Sequence, residues 1–334
     1  MRRIIPAFLL MVAACTSSER KPGEVDVVRV ARSTLLSNAP MAIGDLEGYF
    51  ADEGIRLQLV DVPSRTTQAL PGLEEGDIDV LSAVLTVALI NAVNAGADFR
   101  IVADRGYLEP GGCEPLGIIG RKSLFEGKAV TAELLRGRKI STNAVGASGF
   151  FASKFLESYG LTLSDLDVVR LPPNVEPQAL DDGSVDIVTR GDPQMHALLV
   201  RGHRLIGGAM SAAPRNHLAV LVYGPTLLSD HELGVRFMRA YLRAVRRYNQ
   251  GATPRNVAIV SRGLGIDSTS LRDMCWSTSR PDGSIDRTSI MNYLQWAVGR
   301  GLLEQVIDPD RLVDPSFAVE ADAGLASEAR PEGG

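Results

Sequence analysis

Residues 137–192 constrain the fold more than any other stretch of the chain. Residues 139–142 read as a short strand, and 143–149 as a turn of small residues. Residues 150–159 have the spacing of an amphipathic helix that stops at Gly160. A second strand is expected at 168–171, closed by Pro172 and Pro173, which cannot donate to a central ladder. Residues 176–180 read as a short helix and 185–189 as a third strand. Strands and helices alternating at this spacing predict parallel βαβ units. Such folds bind ligands where strand C-termini meet helix N-termini. Loops 143–149 and 190–193 are therefore candidate binding positions.

The same grammar occurs earlier. Strands are expected at 25–32, 56–60, 80–81 and 99–103, and helices at 43–50 and 86–95. Between them lie a small polar stretch at 33–42, a hydroxyl-rich loop at 62–67, and Ser82-Ala83-Val84 at a strand end. The two stretches also share wording. Glu74-Glu75-Gly76-Asp77-Ile78-Asp79-Val80 matches residues 180–188, LDDGSVDIV, in having a helix end, a glycine turn and an aspartate before a strand. Two similar α/β lobes predict a cleft between them.

The N-terminus carries an address. Met1-Arg2-Arg3 precedes a short apolar run at 4–14, too short to span a membrane. The run ends Val12-Ala13-Ala14-Cys15, which resembles the bacterial lipobox. That resemblance implies a signal peptide at 1–14 and acyl chains on Cys15, with a polar tether at 15–24. Several acyl chains anchor stably. The expected location is the periplasmic face of the cell envelope, lipid-anchored to a membrane. Cys113 and Cys275 can pair in an oxidising compartment or stay as two buried thiols, the reading preferred here.

Other classes are argued against by composition and motif. The chain has 334 residues, is 45% hydrophobic and carries a formal charge of -5 without a basic tract, which argues against nucleic acid as partner. None of the four histidines, His196, His203, His217 and His231, has metal-ligand spacing. There is no GxSxG, HExxH, CxxC, GxGxxG or P-loop. No catalytic residue, metal or cofactor is expected. Residues 229–249 form a basic amphipathic helix, read as a core-packing helix with a solvated outer face; lipid or permease contact is the other reading. Helices follow at 268–274 and 290–300, and the chain is expected to be disordered beyond Phe317.

From about Val27 to Ala321 the chain resembles the solute-binding proteins of ABC importers, in the branch that binds nitrate, sulfonates, taurine and thiamine precursors. The resemblance rests on the early strand and polar loop, EGDIDV, NAGADFRIVAD, GRKISTNAVGASG and DDGSVDIVTRGDP, in that order. It implies an α/β, two-lobed type II periplasmic-binding-protein fold with mixed sheets flanked by helices. Lobe 1 would comprise 25–116 plus 216–320, lobe 2 117–215, and a disordered tail 321–334. It also implies a monomer that clamps a small organic ligand between lobes and delivers it to an ABC permease in the inner membrane.

The corresponding site residues are Ser33, Thr34 and Leu35; Ser64 and Arg65; Ser82, Ala83 and Val84; Asn143, Gly146 and Ala147; and Arg190 and Asp192. The sequence Arg190-Gly191-Asp192-Pro193 departs from the family pattern, as does the loop 105–115 with its Tyr107 and Glu109, read as reaching the cleft mouth. On physical grounds, free amides at the helix start after Asn143 can hold an anion, or that start is simply capped. Arg65 can grip a carboxylate or sulfonate or be a surface residue. Arg190 can do the same or pair with Asp192. Leu35, Ala83, Val84, Ala144, Val145 and Ala147 also suit a partly apolar ligand, so a carrier of lipid or another hydrophobic compound is an alternative. A further one is a thiamine-pyrimidine-related enzyme on the same fold.

Overall fold

The computed structural model describes residues 25–62 and 66–328. Ten strands form two five-stranded mixed sheets. The first contains β1 (Asp26–Ala31), β2 (Ile55–Val60), β3 (Val80–Ala83), β4 (Arg100–Asp104) and β10 (Val220–Tyr223), in the order β2-β1-β3-β10-β4. The second contains β5 (Leu116–Gly120), β6 (Lys139–Ser141), β7 (Asp167–Val169), β8 (Ile187–Gly191) and β9 (Arg204–Gly208), in the order β7-β6-β8-β5-β9. In each sheet one strand runs antiparallel to both neighbours: β10 in the first and β5 in the second. Each is the strand by which the chain arrives from the other sheet. The two lobes therefore share one topology, as the alternating pattern predicts.

The repeated wording has a structural cause. Helix Thr66–Glu74 and helix Glu176–Asp182 each lead through a left-handed glycine, Gly76 and Gly183, both at φ 80°. Next comes the aspartate. Asp79 accepts from the Arg29 amide at 2.7 Å, while its own amide donates to the Arg29 carbonyl at 2.8 Å. Asp186 does the same with Lys139, at 3.2 and 2.9 Å. The aspartates thus tie β3 to β1 and β8 to β6, and each also holds an arginine: Arg29 at 2.8 Å and Arg121 at 2.7 Å. The motif sets strand order and leaves ligand contact to the loops.

Several expectations need correction. Helix 43–50 is two helices, Ala39–Leu46 and Tyr49–Asp52, broken at Gly48 with φ 83°. Residues 122–135 hold two short helices, Lys122–Phe125 and Ala132–Leu135. Residues 317–328 are not disordered, because helix Ser316–Glu328 packs there; the rest of the expected tail, 329–334, lies outside the described residues. It buries Phe317, Ala318, Ala321 and Leu325 against Tyr223, Phe237, Met238 and Tyr241. Its Ala-rich composition suggested disorder, but alanine is also the best helix former.

That helix changes the reading of the basic helix, which spans His231–Tyr248. Its arginines are not simply solvated. Arg236 donates to Asp26 at 2.6 Å, Arg239 to Glu53 at 2.7 Å, Arg243 to Glu328 at 2.7 Å and Arg246 to Asp322 at 2.5 Å. The cationic face is a staple that holds the first strand, the loop before β2 and the C-terminal helix together. Cys113 and Cys275 form a disulfide across 162 residues, which corrects the separate-thiol reading. Cys113 is in fact exposed and Cys275 half-buried. Among the described residues no helix is long and apolar enough to cross a membrane.

Candidate functional site

The candidate loops follow the C-terminal ends of β1, β3, β6 and β8. After β1, the Leu35 amide donates to Ser33 Oγ at 3.4 Å, and Thr34 is exposed. Leu35 starts a short turn of 3-10 helix, Leu36–Asn38. After β3, Ser82 Oγ donates to Asn38 Oδ1 at 2.6 Å, which fastens the first loop to the third. Ala83 is buried in the sheet, and Val84 packs partly buried at its end. Ser64, Arg65 and Cys15 lie outside the described residues.

The second-lobe loops are equally committed. Helix Ala147–Glu157 begins three residues earlier than its apolar pattern suggests. Gly146 is its N-cap, and the Asn143 carbonyl accepts from the amides of Gly146 and Gly149 at 3.0 and 3.1 Å. Ser148 Oγ in turn accepts from the Asn143 amide at 3.3 Å. A Cβ on Gly149 would lie 2.5 Å from the Asn143 carbonyl oxygen. That glycine is required by the loop folding back on itself, independently of any ligand. Arg190 does not pair with Asp192. Its Nε lies 2.6 Å from Glu176 Oε2, and its Nη2 donates to Glu176 Oε1 at 2.6 Å. Ser141 Oγ donates to the same carboxylate at 2.6 Å. Burial raises the Glu176 pKa, and the Arg190 charge opposes that rise.

Asp192 instead spans the lobes. Its carboxylate accepts from the His196 amide at 3.0 Å and from the Cys275 amide at 3.0 Å, and its carbonyl accepts from the Leu36 amide at 3.4 Å. Burial pushes its pKa up, against the two amides. The disulfide fixes Cys275 to Cys113, at the approach to β5. One residue thus fastens loop β8 and the disulfide segment through its carboxylate and loop β1 through its carbonyl.

A second set of contacts crosses the seam nearby. Thr86 and Gly146 form an antiparallel bridge. The Ala147 amide donates to the Leu85 carbonyl at 3.1 Å, and the Val87 amide to the Val145 carbonyl at 3.4 Å. Tyr293 donates its hydroxyl to the same Val145 carbonyl at 3.0 Å. Leu85, Phe150, Phe151 and Tyr293 belong to one buried cluster with members in both lobes. Beneath them a cavity of about 10 Å³ is lined by Leu85, Ala147, Phe150, Phe151, Asn216, His217, Ser289 and Tyr293. That volume is about what one water needs. A larger groove, about 290 Å³, lies on the second lobe among Arg121, Lys122, Asp181, Arg201 and His203. It is away from these loops, and Arg121, Arg201 and His203 are already paired with Asp186 or Asp181.

The strand crossings are held by a buried polar cluster. His217 Nε2 accepts from the Asp286 amide at 2.7 Å, so the ring proton sits on Nδ1, which faces Asp104 Oδ1 at 2.7 Å. Asp104 also accepts from the amides of Gly106 and Arg280. Both ring nitrogens are occupied, which leaves His217 no role as a general base. Tyr107 is buried and donates to Asp286 at 2.9 Å, rather than reaching a cleft mouth; Glu109 is exposed.

Two lobes of equal topology, two crossings and four facing loops decide the architecture. The chain has the type II periplasmic-binding-protein fold. No family model and no curated protein matches the sequence. Solved structures do. The ligand-binding component of an ABC-type import system from Staphylococcus aureus, with zinc bound, superposes at TM-score 0.75 and 15% identity, over 89% of this chain and 99% of that one. A putative periplasmic sulfonate-binding protein from Methylobacillus flagellatus KT gives 0.68 and 20%, over 93% and 98%. The desulfurization enzyme DszB gives 0.65 and 13%, over 90% and 99%. In this binding-protein fold the four loops form the seam just described. Leu36, Leu85, Thr86, Cys275 and Tyr293 complete it, and sequence reasoning placed none of them at the site.

Proposed function

We propose that the chain captures a small organic ligand between its lobes and delivers it to an ABC permease. Facing backbone contacts between equivalent loops carry this reading: Thr86 with Gly146 and Leu36 with Asp192. They are few and partly long, so opening them exposes the strand C-termini at modest cost, whereas each lobe keeps its own sheet. The described seam is the closed arrangement. The predicted lipid on Cys15 would tether the protein at the periplasmic face.

A partly apolar anion fits best. Leu85, Phe150 and Tyr293 supply apolar surface, and the amides of Val87 and Ala147 become donors once their carbonyl partners leave. The fold also serves an enzyme, DszB. Here Cys113 and Cys275 are bonded to each other and His217 is fully engaged, which argues for binding without turnover. Native mass spectrometry of protein purified without added ligand tests the proposal. The expected result is a bound species of a few hundred daltons that is released unchanged on unfolding. Conversion of that species by the protein would overturn it.

A further inference from the structure

β4 ends at Asp104, and the next residue, Arg105, sends its side chain into the first lobe. It is 2% exposed and among the largest fully buried side chains. Nη1 donates to Ser37 Oγ at 2.8 Å, and buried Nε has no partner. Among the described residues no carboxylate forms an ion pair with it. The neighbouring Asp104 is spent on His217, Gly106 and Arg280. Tyr241 and Tyr248 lie beside the guanidinium, and the Tyr241 hydroxyl donates to the Asp104 carbonyl at 3.0 Å. Burial lowers the Arg105 pKa, yet a guanidinium stays charged at any physiological pH.

A buried charge with one neutral acceptor is costly unless an anion compensates it. Its location says where such an anion would come from. Ser37 follows Leu36, whose amide meets Asp192 across the seam at 3.4 Å, and precedes Asn38, which holds Ser82 at the end of β3. The guanidinium therefore sits directly behind two of the first-lobe loops. The Asp192 carboxylate, on the opposite loop, is taken up by the amides of Cys275 and His196.

We propose that Arg105 is the anion-binding residue of the cleft. A carboxylate or sulfonate passes between Leu36 and Asp192 and pairs with the unpartnered Nε and the Ser37 hydroxyl. This rests on the seam being the ligand site. It assigns the charge recognition to a residue outside the loops, in place of Arg190, which Glu176 already neutralises.

The test is thermal unfolding of the full chain titrated with acetate, methanesulfonate or nitrate, with ionic strength held constant by sodium fluoride. The expected result is saturable stabilisation of the wild type by at least one of them. Arg105→Met, which removes the buried charge, is expected to be at least as stable as the wild type without anion and to lose the response. Arg105→Lys, which keeps the charge but not the planar fork, should retain a weakened response and covers the case of a Met variant that fails to fold. An undiminished response in either variant, or no response in the wild type, overturns the proposal. If the Met variant still carries the co-purifying solute, only the part played by Arg105 falls. If the wild type carries none, the seam itself is not the site.

Discussion

The amide of Ala147 donates to the carbonyl of Leu85, at 3.1 Å, so the N-terminus of a second-lobe helix is closed by first-lobe backbone. Of the amides expected to greet a ligand, that of Ala147 is spent on the opposite lobe and those of Gly146 and Gly149 on the Asn143 carbonyl of their own loop. A ligand entering here exchanges one set of hydrogen bonds for another, and the net gain must come from apolar contact and charge. That makes lobe opening and ligand capture parts of one equilibrium.

The disulfide stabilises this arrangement. Joining residues 162 apart restricts the unfolded chain strongly. The double variant Cys113→Ser with Cys275→Ser should lose about 2–4 kcal/mol in urea unfolding. The wild type treated with reductant should move to the same midpoint. Coincident curves for oxidised wild type and variant would show that the bond contributes nothing.

The Glu176–Arg190 pair should behave as a buried ion pair. Glu176→Gln leaves Arg190 charged and uncompensated, with an expected loss of about 3–5 kcal/mol. Replacing both, Glu176→Gln with Arg190→Met, should cost clearly less than the sum of the single changes. Additive losses in a double-mutant cycle would argue that the two side chains act separately.

Stability should depend on pH through Asp192. Burial raises its pKa in the folded state, so the native protein holds its proton to higher pH than the unfolded chain. Between the ordinary aspartate pKa and the raised one, the native state binds more protons, and stability falls as pH rises. Asp192→Asn should flatten that part of the profile. Urea midpoints measured across this window decide the matter: an unchanged slope in the variant would contradict the assignment.

Cys15 is expected to be the acylated N-terminus, from the charged start, the short apolar run and Val12-Ala13-Ala14-Cys15. Cys15→Ala should abolish incorporation of labelled palmitate and move the protein from the membrane fraction to the soluble fraction. Retained label would show that the lipid sits elsewhere.

Much of the fold was legible because it is local. Strand-helix alternation and the glycine-aspartate turns before β3 and β8 lie within short windows, and each turn performs the same task in its lobe. The loops at strand ends were legible for the same reason. What they touch was not. Ala147 meets Leu85, Asp192 meets Cys275, and Arg190 meets Glu176 only after helices and strands have packed. Arg105 was read as the start of a loop, since nothing in one sequence separates a buried arginine from a solvated one. The C-terminal helix was misread because its stability comes from packing on the basic helix rather than from its own pattern.

Hydrogen–deuterium exchange at the seam tests most directly whether the lobes open to admit a ligand. The amides of Val87 and Ala147 cross the seam, whereas those of Val220–Tyr223 lie in the first sheet. We predict that the seam amides exchange by local opening, well before the β10 amides, and that the co-purifying solute slows them selectively. Seam and β10 amides exchanging together, with or without solute, would mean that the lobes are fused and would contradict the account.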